Sequence, residues 1–357
     1  MKIAIIIISI IHGLIHLLGF LKAFKLAEIY QLKQPISTLA GGFWLLASVL
    51  FLAFALITYL EKSITGYLGL VAIILSQILI FTVWQDAKFG SLANLFLLLV
   101  SIQMIFYAIW EQKLTREKSD FINKMEAVEL RKVQEAPAII QKWLNRIGFD
   151  ENHSMISAEI HQLAQMKMKP DQEDWKKATA YQISRINSPA FHWEVKMEMM
   201  PGLTIYGRDQ FLEGKGEMLI RLGAILSIVD EKGSKIDKGS LQRLLGELVW
   251  IPSLALHPQV SWKELDDHSL EGSLKVGKTT GKGIFYFNED GDFTKFEALR
   301  YYENKPESNR FPWILTVKEY RDWDGIRIPN HMEATWILPD GDWTWLDLKI
   351  TSLKYSY

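Results

Sequence analysis

The pattern of apolar and polar positions divides the chain into two unlike parts. Four nearly unbroken apolar runs occupy residues 3–24, 37–59, 67–84 and 92–110, and no run of that length follows them. A bilayer core of roughly 30 Å requires about 20 apolar residues in a helix. The sequence therefore predicts a four-span transmembrane domain over residues 1–110. The first run is predicted to be a retained helix, because it continues without a signal-peptide cleavage site.

A charged segment follows the last apolar run. Residues 111–136 carry many charged side chains and few apolar ones, which predicts a charged helical connector with a solvated face. The next stretch, APAIIQKWLNRIGF, has a proline suited to a first helical turn, an apolar stripe, and a glycine suited to a helix end. We expect this short amphipathic helix to begin a soluble domain that covers residues 137–357.

From about residue 154 the apolar positions recur every second residue, as in half-buried antiparallel strands. The segment FHWEVKMEM is the clearest case, and turn sequences such as Asp-Gly recur at strand-like intervals. One helix is predicted near residues 240–250. Strands are predicted near residues 203–212, 217–229, 268–276, 283–288, 293–302, 313–320, 331–338 and 343–355. The predicted fold class is a four-helix transmembrane bundle followed by an α+β domain, a large curved antiparallel sheet with a few helices packed on its concave side.

Charge and cysteine content narrow the function classes. The net charge is −1, and the chain has no basic face or Arg/Lys-rich tract, so no nucleic acid is predicted as a partner. The chain contains no cysteine, which excludes disulfides, thiolate catalysis and Cys-ligated metals. No catalytic signature such as G-x-S-x-G or H-E-x-x-H is present. The segment NEDGD at residues 288–292 resembles part of a calcium loop but lacks its Gly and Glu, which favours a hairpin turn.

The most unusual residues in the apolar runs are His12 and His16. Their spacing places both imidazoles on one face of a helix, where they could bind a metal or a haem. The other spans offer no further His or carboxylate pair, so this interpretation is the weaker one and no cofactor is predicted. The favoured interpretation is hydrogen bonding of neutral imidazoles to polar side chains of neighbouring spans, namely Ser76, Gln77, Asn94, Ser101 or Gln103.

Ten of the thirteen tryptophans lie beyond residue 137. A buried indole N–H needs an acceptor, so a closely packed core usually prefers Leu and Ile. Two interpretations stay open: a tryptophan-rich core, or an apolar hollow that binds a lipid-like molecule. The candidate lining residues are Trp193, Trp250, Trp313 and Trp336, because each lies in a predicted strand or helix with apolar neighbours at the matching period.

Two carboxylates, Asp209 and Glu247, lie among apolar residues, and Arg208 and Arg300 are their candidate partners. Acids in such settings more often form structural salt bridges or helix caps than catalytic pairs. The favoured function is a binding or carrier module rather than an enzyme. One alternative is a hydrolase that uses Asp209 and Glu247 in the same cavity, and another is a sensor or assembly protein with a filled core.

The order of several motifs resembles an uncharacterised bacterial family, a domain of unknown function. The motifs are APAIIQKWLNRIGF, SPAFHWEVKMEMMPGLTIYGRDQFLEGKGEM, LLGELVWIPSLAL, FPW and DGIRIPNHMEATWIL. The opening IHGLIHLLGFLKAF and the four spans resemble the membrane-anchored branch of that family. The strand pattern is similar to the fold of lipoprotein-localisation carriers, a half-open curved sheet with an apolar cavity. That likeness implies a role in binding lipid, by analogy of fold.

The predicted location is the bacterial inner membrane, and the side of the soluble domain is harder to predict. The side of the membrane that holds the soluble domain carries six positive charges, against four on the other side, when the charged connector is counted. Without the connector, the numbers are two against four. Because long domains translocate largely regardless of charge, we expect an extracytoplasmic domain. The predicted partners are the membrane and a lipid or other hydrophobic small molecule, while protein partners cannot be read from the pattern.

Overall fold

The computed structural model describes residues 1–200 and 202–357 of the chain. Its helices are α1 (Lys2–Ala23), α2 (Thr38–Tyr59), α3 (Thr65–Thr82), α4 (Trp84–Ala87), α5 (Gly90–Ile122), α6 (Ala138–Arg146) and α7 (Ser234–Gly246). Short 3₁₀ turns cover Val133–Glu135, Glu151–His153, Glu247–Trp250 and Pro252–Leu256. The chain forms two compact units, Met1–Arg116 with Gly223–Ile225, and Glu117–Leu222 with Leu226–Tyr357.

Four helices of the first unit, α1, α2, α3 and α5, are long and apolar enough to cross a membrane. They expose large apolar side chains such as Leu56 and Phe81, while Ser9, Ser76 and Ser101 are fully buried. Apolar groups outside and small polar groups between helices are typical of helices surrounded by lipid. Helix α5 continues past residue 110 to Ile122, so the first part of the charged segment extends the same helix.

A single antiparallel sheet of 13 strands dominates the second unit. The strands are β1 (Ser157–Met166), β2 (Lys176–Arg185), β3 (Ala190–Met200), β4 (Leu203–Leu212), β5 (Lys215–Leu222), β6 (Leu226–Lys232), β7 (Val260–Asp266), β8 (Ser269–Val276), β9 (Thr279–Phe287), β10 (Phe293–Tyr301), β11 (Arg310–Trp323), β12 (Ile326–Leu338) and β13 (Gly341–Ser356). Their order is β6-β5-β4-β3-β2-β1-β13-β12-β11-β10-β9-β8-β7. The sheet is therefore two meanders joined in the middle, where the first strand pairs with the last.

Helix α7 shows how strongly the sheet is curved. It contacts β4 and β5 near one edge and β8, β9 and β10 near the other. Adjacent strands lie about 4.8 Å apart, so in a flat sheet β5 and β9 would be about 43 Å apart. A helix is only about 10–12 Å wide, so the sheet must curl around α7 as a half-barrel. The predicted fold class, four apolar helices followed by a large curved antiparallel sheet with packed helices, is confirmed.

Some predicted boundaries were wrong. The strand expected at residues 217–229 is interrupted by a turn at Gly223 and Ala224, whose φ angles are 62° and 63°, so the segment forms β5 and β6. The helix expected at residues 240–250 begins at Ser234, and its last residues form the 3₁₀ turn Glu247–Trp250. Strands β1, β2 and β7 were not predicted.

The apolar stripe of α7 forms the centre of the sheet unit. Four leucines lie on one face of this helical segment and are each at most 1% exposed, namely Leu241, Leu244, Leu245 and Leu248. The turns at the two sides of the sheet also meet, because the Thr279 hydroxyl donates to the Gly214 carbonyl oxygen at 2.7 Å. Helix α7 therefore packs between two parts of the sheet that are far apart in strand order.

Truncating the α7 stripe tests this packing. Leu245→Ala should lower the free energy of unfolding by about 2–5 kcal/mol, because it leaves a cavity at a fully buried position. The matched control is Leu163→Ala in β1, where the side chain is 55% exposed and the expected loss is below about 0.5 kcal/mol. Urea unfolding of the full chain in detergent, followed by tryptophan fluorescence, measures both. Equal losses for the two variants would contradict the central position of α7.

Candidate ligand-binding cavity

A partly open cavity of about 560 Å³ lies in the sheet unit. Its volume falls within the range of about 300–1,000 Å³ that is common for small-molecule sites. A dry cavity of this size would cost about 13 kcal/mol at about 24 cal/mol per Å³, as much as the whole stability of many domains. The cavity is therefore a concave surface open to water or ligand, not a packing defect. Its lining is mainly apolar and includes Met168, Trp193, Met218, Val229, Trp250, Trp313, Leu315, Met332, Ala334, Trp336, Trp343, Trp345, Leu346 and Leu348.

The structure brings all four tryptophans that we singled out from the sequence to this wall. Trp193, Trp250, Trp313 and Trp336 are 7%, 4%, 2% and 9% exposed, so each ring is packed against protein over most of its surface. Two further rings of β13, Trp343 and Trp345, are half-buried and also line the cavity. Their role as ligand-binding residues stays a prediction.

Among the tryptophans of the wall, two indole N–H groups have an acceptor and three have none. Trp193 donates to the Gln162 side-chain oxygen at 3.0 Å, and Trp250 donates to the Pro329 carbonyl oxygen at 2.9 Å. The indole N–H groups of three others find no acceptor among the described residues, those of Trp313, Trp343 and Trp345. A buried donor without an acceptor costs about 1–3 kcal/mol.

Arg243 of α7 organises the polar part of the wall. Its guanidinium donates to Asp209 and Glu247 at 2.7 Å each and to the Gln182 side-chain oxygen at 3.0 Å. The Gln182 amide in turn donates to Glu247 at 2.9 Å. Burial alone would lower the pKa of Arg243, but the two carboxylates outweigh it and raise that pKa above its ordinary value. The cluster is an ion-pair network that joins α7 to β2 and β4, and only Asp209 Oδ1 is left in it without a partner among the described residues.

Neither of the two arginines expected to partner Asp209 and Glu247 forms an ion pair with them. Arg208 pairs with Glu117 at 3.2 Å and with Glu217 at 3.0 Å, away from the cavity lining. Arg300 lines the cavity but lies outside ion-pair distance of both acids. We did not single out Arg243, although its position four residues before Glu247 is the spacing of a helical ion pair. That spacing was the signal that could have identified it.

Arg300 of β10 is the unusual cation of the cavity. It forms no hydrogen bond or ion pair with any residue in the described part of the chain, and its Nε is buried without an acceptor. Its guanidinium lies 4.2 Å from the Trp313 ring centre and 5.7 Å from that of Trp336. Burial lowers the pKa of Arg300 to about 10, although Asp209 and Glu247 oppose this shift. The side chain therefore stays cationic at neutral pH.

His12 and His16 lie in the helical unit and hydrogen-bond within it. The His12 Nε2 lies 3.2 Å from the Ser76 hydroxyl and 3.0 Å from the Asn94 side-chain oxygen. The His16 Nδ1 donates to the His12 carbonyl oxygen at 2.8 Å, and its ring packs 5.0 Å from that of Trp44. Among the described residues, no group of three or more His, Asp or Glu side chains could hold a metal. The predicted pairing with polar side chains of neighbouring spans is present for His12, whereas His16 pairs within its own helix and its Nε2 has no partner among the described residues.

The comparisons with known proteins identify a family and a similar solved structure. The model of a family of unknown function, DUF6920, matches residues 134–355, which confirms the predicted resemblance. No curated protein matches the chain. A LolA superfamily protein from Nitrosomonas europaea is similar at 14% sequence identity and a TM-score of 0.34, over 62% of this chain and 93% of that chain.

Apolar replacement of Arg243, Asp209 and Glu247 tests whether these three charged side chains act on stability as one network. Arg243→Leu alone should cost about 3–5 kcal/mol of unfolding free energy, because it leaves Asp209 and Glu247 buried without a counter-ion. The triple replacement of Arg243, Asp209 and Glu247 by Leu should recover most of that loss. Chemical unfolding of the full chain measures both variants. A triple variant that is less stable than the single one would contradict this account, because the loss would then not come from carboxylates left without a counter-ion.

Proposed function

We propose that this chain, which belongs to the DUF6920 family of unknown function, is a membrane-anchored module that binds a lipid or another hydrophobic molecule. The observation that carries the proposal is the open cavity of about 560 Å³ with six tryptophans in its wall. A concave apolar surface of this size in contact with water is unfavourable unless something apolar covers it. A hydrophobic ligand would provide that cover.

The size of the aromatic surface supports useful affinity. A tryptophan ring buries about 150–250 Å² when fully covered, which at about 25 cal/mol per Å² corresponds to several kcal/mol. The rings of this wall are already largely buried by protein, so a ligand gains only the remainder from each. Contributions from several rings, after the cost of association, would support micromolar retention.

The four apolar helices support a role at a membrane. A binding module tethered to a bilayer meets lipids at a far higher concentration than one free in solution. We place the protein in the bacterial inner membrane with its sheet domain on the outer side. The support for that side is the excess of lysines in the loops after the first and third helices over those near the other ends, when the charged connector is not counted.

A hydrolase that uses Asp209 and Glu247 has weaker support. Both carboxylates accept hydrogen bonds from Arg243, and their side chains are only 12% and 8% exposed. A catalytic acid or base needs a proton or a lone pair that faces the substrate. Arg243 and Gln182 occupy both oxygens of Glu247 and one oxygen of Asp209, which leaves only the buried Asp209 Oδ1 without a partner among the described residues.

Ligand retention tests the binding function. The full chain, purified in mild detergent, should release an apolar compound on organic extraction that mass spectrometry detects above the detergent background. Trp343→Ala should weaken binding of a fluorescent fatty acyl probe about tenfold, because it removes a half-buried ring that lines the cavity. We prefer Trp343 to Trp250 here, since the Trp250 ring is 4% exposed and its removal should also lower stability.

The matched control is Trp175→Ala, which removes another half-buried ring that lies outside the cavity lining. Probe affinity should change less than about twofold in this variant. If the native protein carries no apolar compound and neither substitution alters probe binding, the tryptophans are core residues and the proposal is wrong.

A fusion after Tyr357 tests the orientation. Alkaline phosphatase placed there should be active, because it folds into its active form only outside the cytoplasm. A fluorescent reporter that matures only in the cytoplasm should stay dark at the same position. Fluorescence together with inactive phosphatase would place the sheet domain inside the cell.

A further inference from the structure

We infer that the bound molecule is an amphiphile whose headgroup carries a single negative charge, a carboxylate or a phosphodiester, and that Arg300 binds this headgroup. The inference rests on the proposed function, because it specifies the ligand of the same cavity. Its basis is the position of Arg300 between a mainly apolar chamber and a more polar one. The Arg300 guanidinium has no hydrogen-bond or ion-pair partner among the described residues.

A second chamber of about 450 Å³ adjoins the tryptophan cavity. The two chambers share Arg300, Asp209, Met218 and Trp336 among their lining residues. Both chambers expose more apolar than polar surface, but the second one is the more polar of the two and is lined by side chains such as Lys235, Ser240 and Asn304. An elongated molecule with one apolar and one polar end matches this pair of chambers, with its polar end at Arg300.

Arg300 has donors to offer, unlike the other arginine of the cavity. Arg243 uses its guanidinium on two carboxylates and an amide oxygen. Arg300 has no such partner among the described residues, and Trp313 and Trp336 hold its guanidinium plane by ring contacts at 4.2 and 5.7 Å. A planar guanidinium held in place is suited to bidentate binding of a carboxylate or phosphate oxygen pair.

Most of the acidic side chains that line the two chambers have partners other than Arg300. Glu303 pairs with Lys305 at 3.1 Å and Glu333 with Lys318 at 3.3 Å. Glu231 of the second chamber accepts a hydrogen bond from the Asn304 amide. These contacts leave Arg300 without a carboxylate of its own.

Lys235 of the second chamber is a further cation without a carboxylate partner in the described residues. It donates to two backbone carbonyl oxygens, those of Lys305 and Pro306, and lies 4.8 Å from the Tyr301 ring centre. An anion in this chamber would therefore meet two cations that lack a counter-ion. The Arg243 cluster keeps one net negative charge, two carboxylates to one guanidinium, and Glu231 adds a second, because its partner is a neutral amide. These charges offset the two cations, so a singly charged headgroup is favoured over a doubly charged one.

Binding of headgroup variants to the full chain in nanodiscs of neutral lipid tests the inference. The probes are oleate, oleoyl lysophosphatidylglycerol and the uncharged monoolein, which share one acyl chain and are compared by displacement of a fluorescent acyl probe. At least one of the two anions should bind ten times more tightly than monoolein, and the difference should shrink as NaCl is raised. The two anions separate a carboxylate ligand from a phosphodiester ligand.

Arg300→Gln should abolish the preference for anions and change monoolein binding less than threefold. Arg300→Lys should retain part of the preference, because it keeps the charge and loses the bidentate geometry. The control is Arg310→Gln, which removes an exposed arginine that lines neither chamber. Thermal unfolding of each variant shows that the fold is intact.

The outcomes separate this inference from the proposed function. If monoolein binds as tightly as the anions and Arg300→Gln changes nothing, the headgroup inference is wrong and the apolar binding function stands. If no amphiphile displaces the probe from the native chain, the binding function itself fails.

Discussion

The order of the strands imposes the constraint on which the sheet unit depends. The edge strands β6 and β7 are consecutive in the chain, yet they lie at opposite edges of a 13-stranded sheet. One short segment, which contains α7 and two 3₁₀ turns, must connect these edges. The sheet therefore has to curl until that segment can span it, and α7 packs its leucine face inside the curl. The cavity is the part of this enclosed space that α7 does not fill.

The same constraint explains the polar features of the cavity wall. Because α7 lies inside the sheet, the side of the helix that carries Arg243 faces strands rather than solvent. A cation in that position is stable only with buried counter-charges, which Asp209 from β4 and Glu247 supply. Arg300 enters the same space from the far meander and receives no such partner. Of the two arginines in this space, Arg243 has carboxylate partners and Arg300 has none among the described residues, so Arg300 is the one whose donors are available to a ligand.

The sequence predicted the apolar helices, the sheet and the tryptophan wall because each depends on a local period. A period of two was evident from about residue 154, but β1 and β2 were not delimited, because their buried positions hold small or polar side chains, such as Gln162, Ala180 and Gln182, so the hydrophobic alternation is weak there. Gln182 is polar there because it hydrogen-bonds to the Arg243 cluster. The partners of Asp209 and Glu247 could not be predicted with similar ease, since they depend on how a helix crosses strands that are distant in sequence.

The pairing of the first strand with the last has a consequence for how the protein is made. Residues such as His161 and Ser352 are neighbours in the middle of the sheet although most of the domain separates them in sequence. Until β13 is synthesised, each meander has an unpaired inner edge, β1 or β12, as well as its outer one. Each meander can pair strand by strand as the chain emerges, but the centre of the sheet forms last, through a long-range contact that folds slowly. Loss of β13 would remove the seam of the sheet and not its border, so the two meanders would be left with separate aggregation-prone edges.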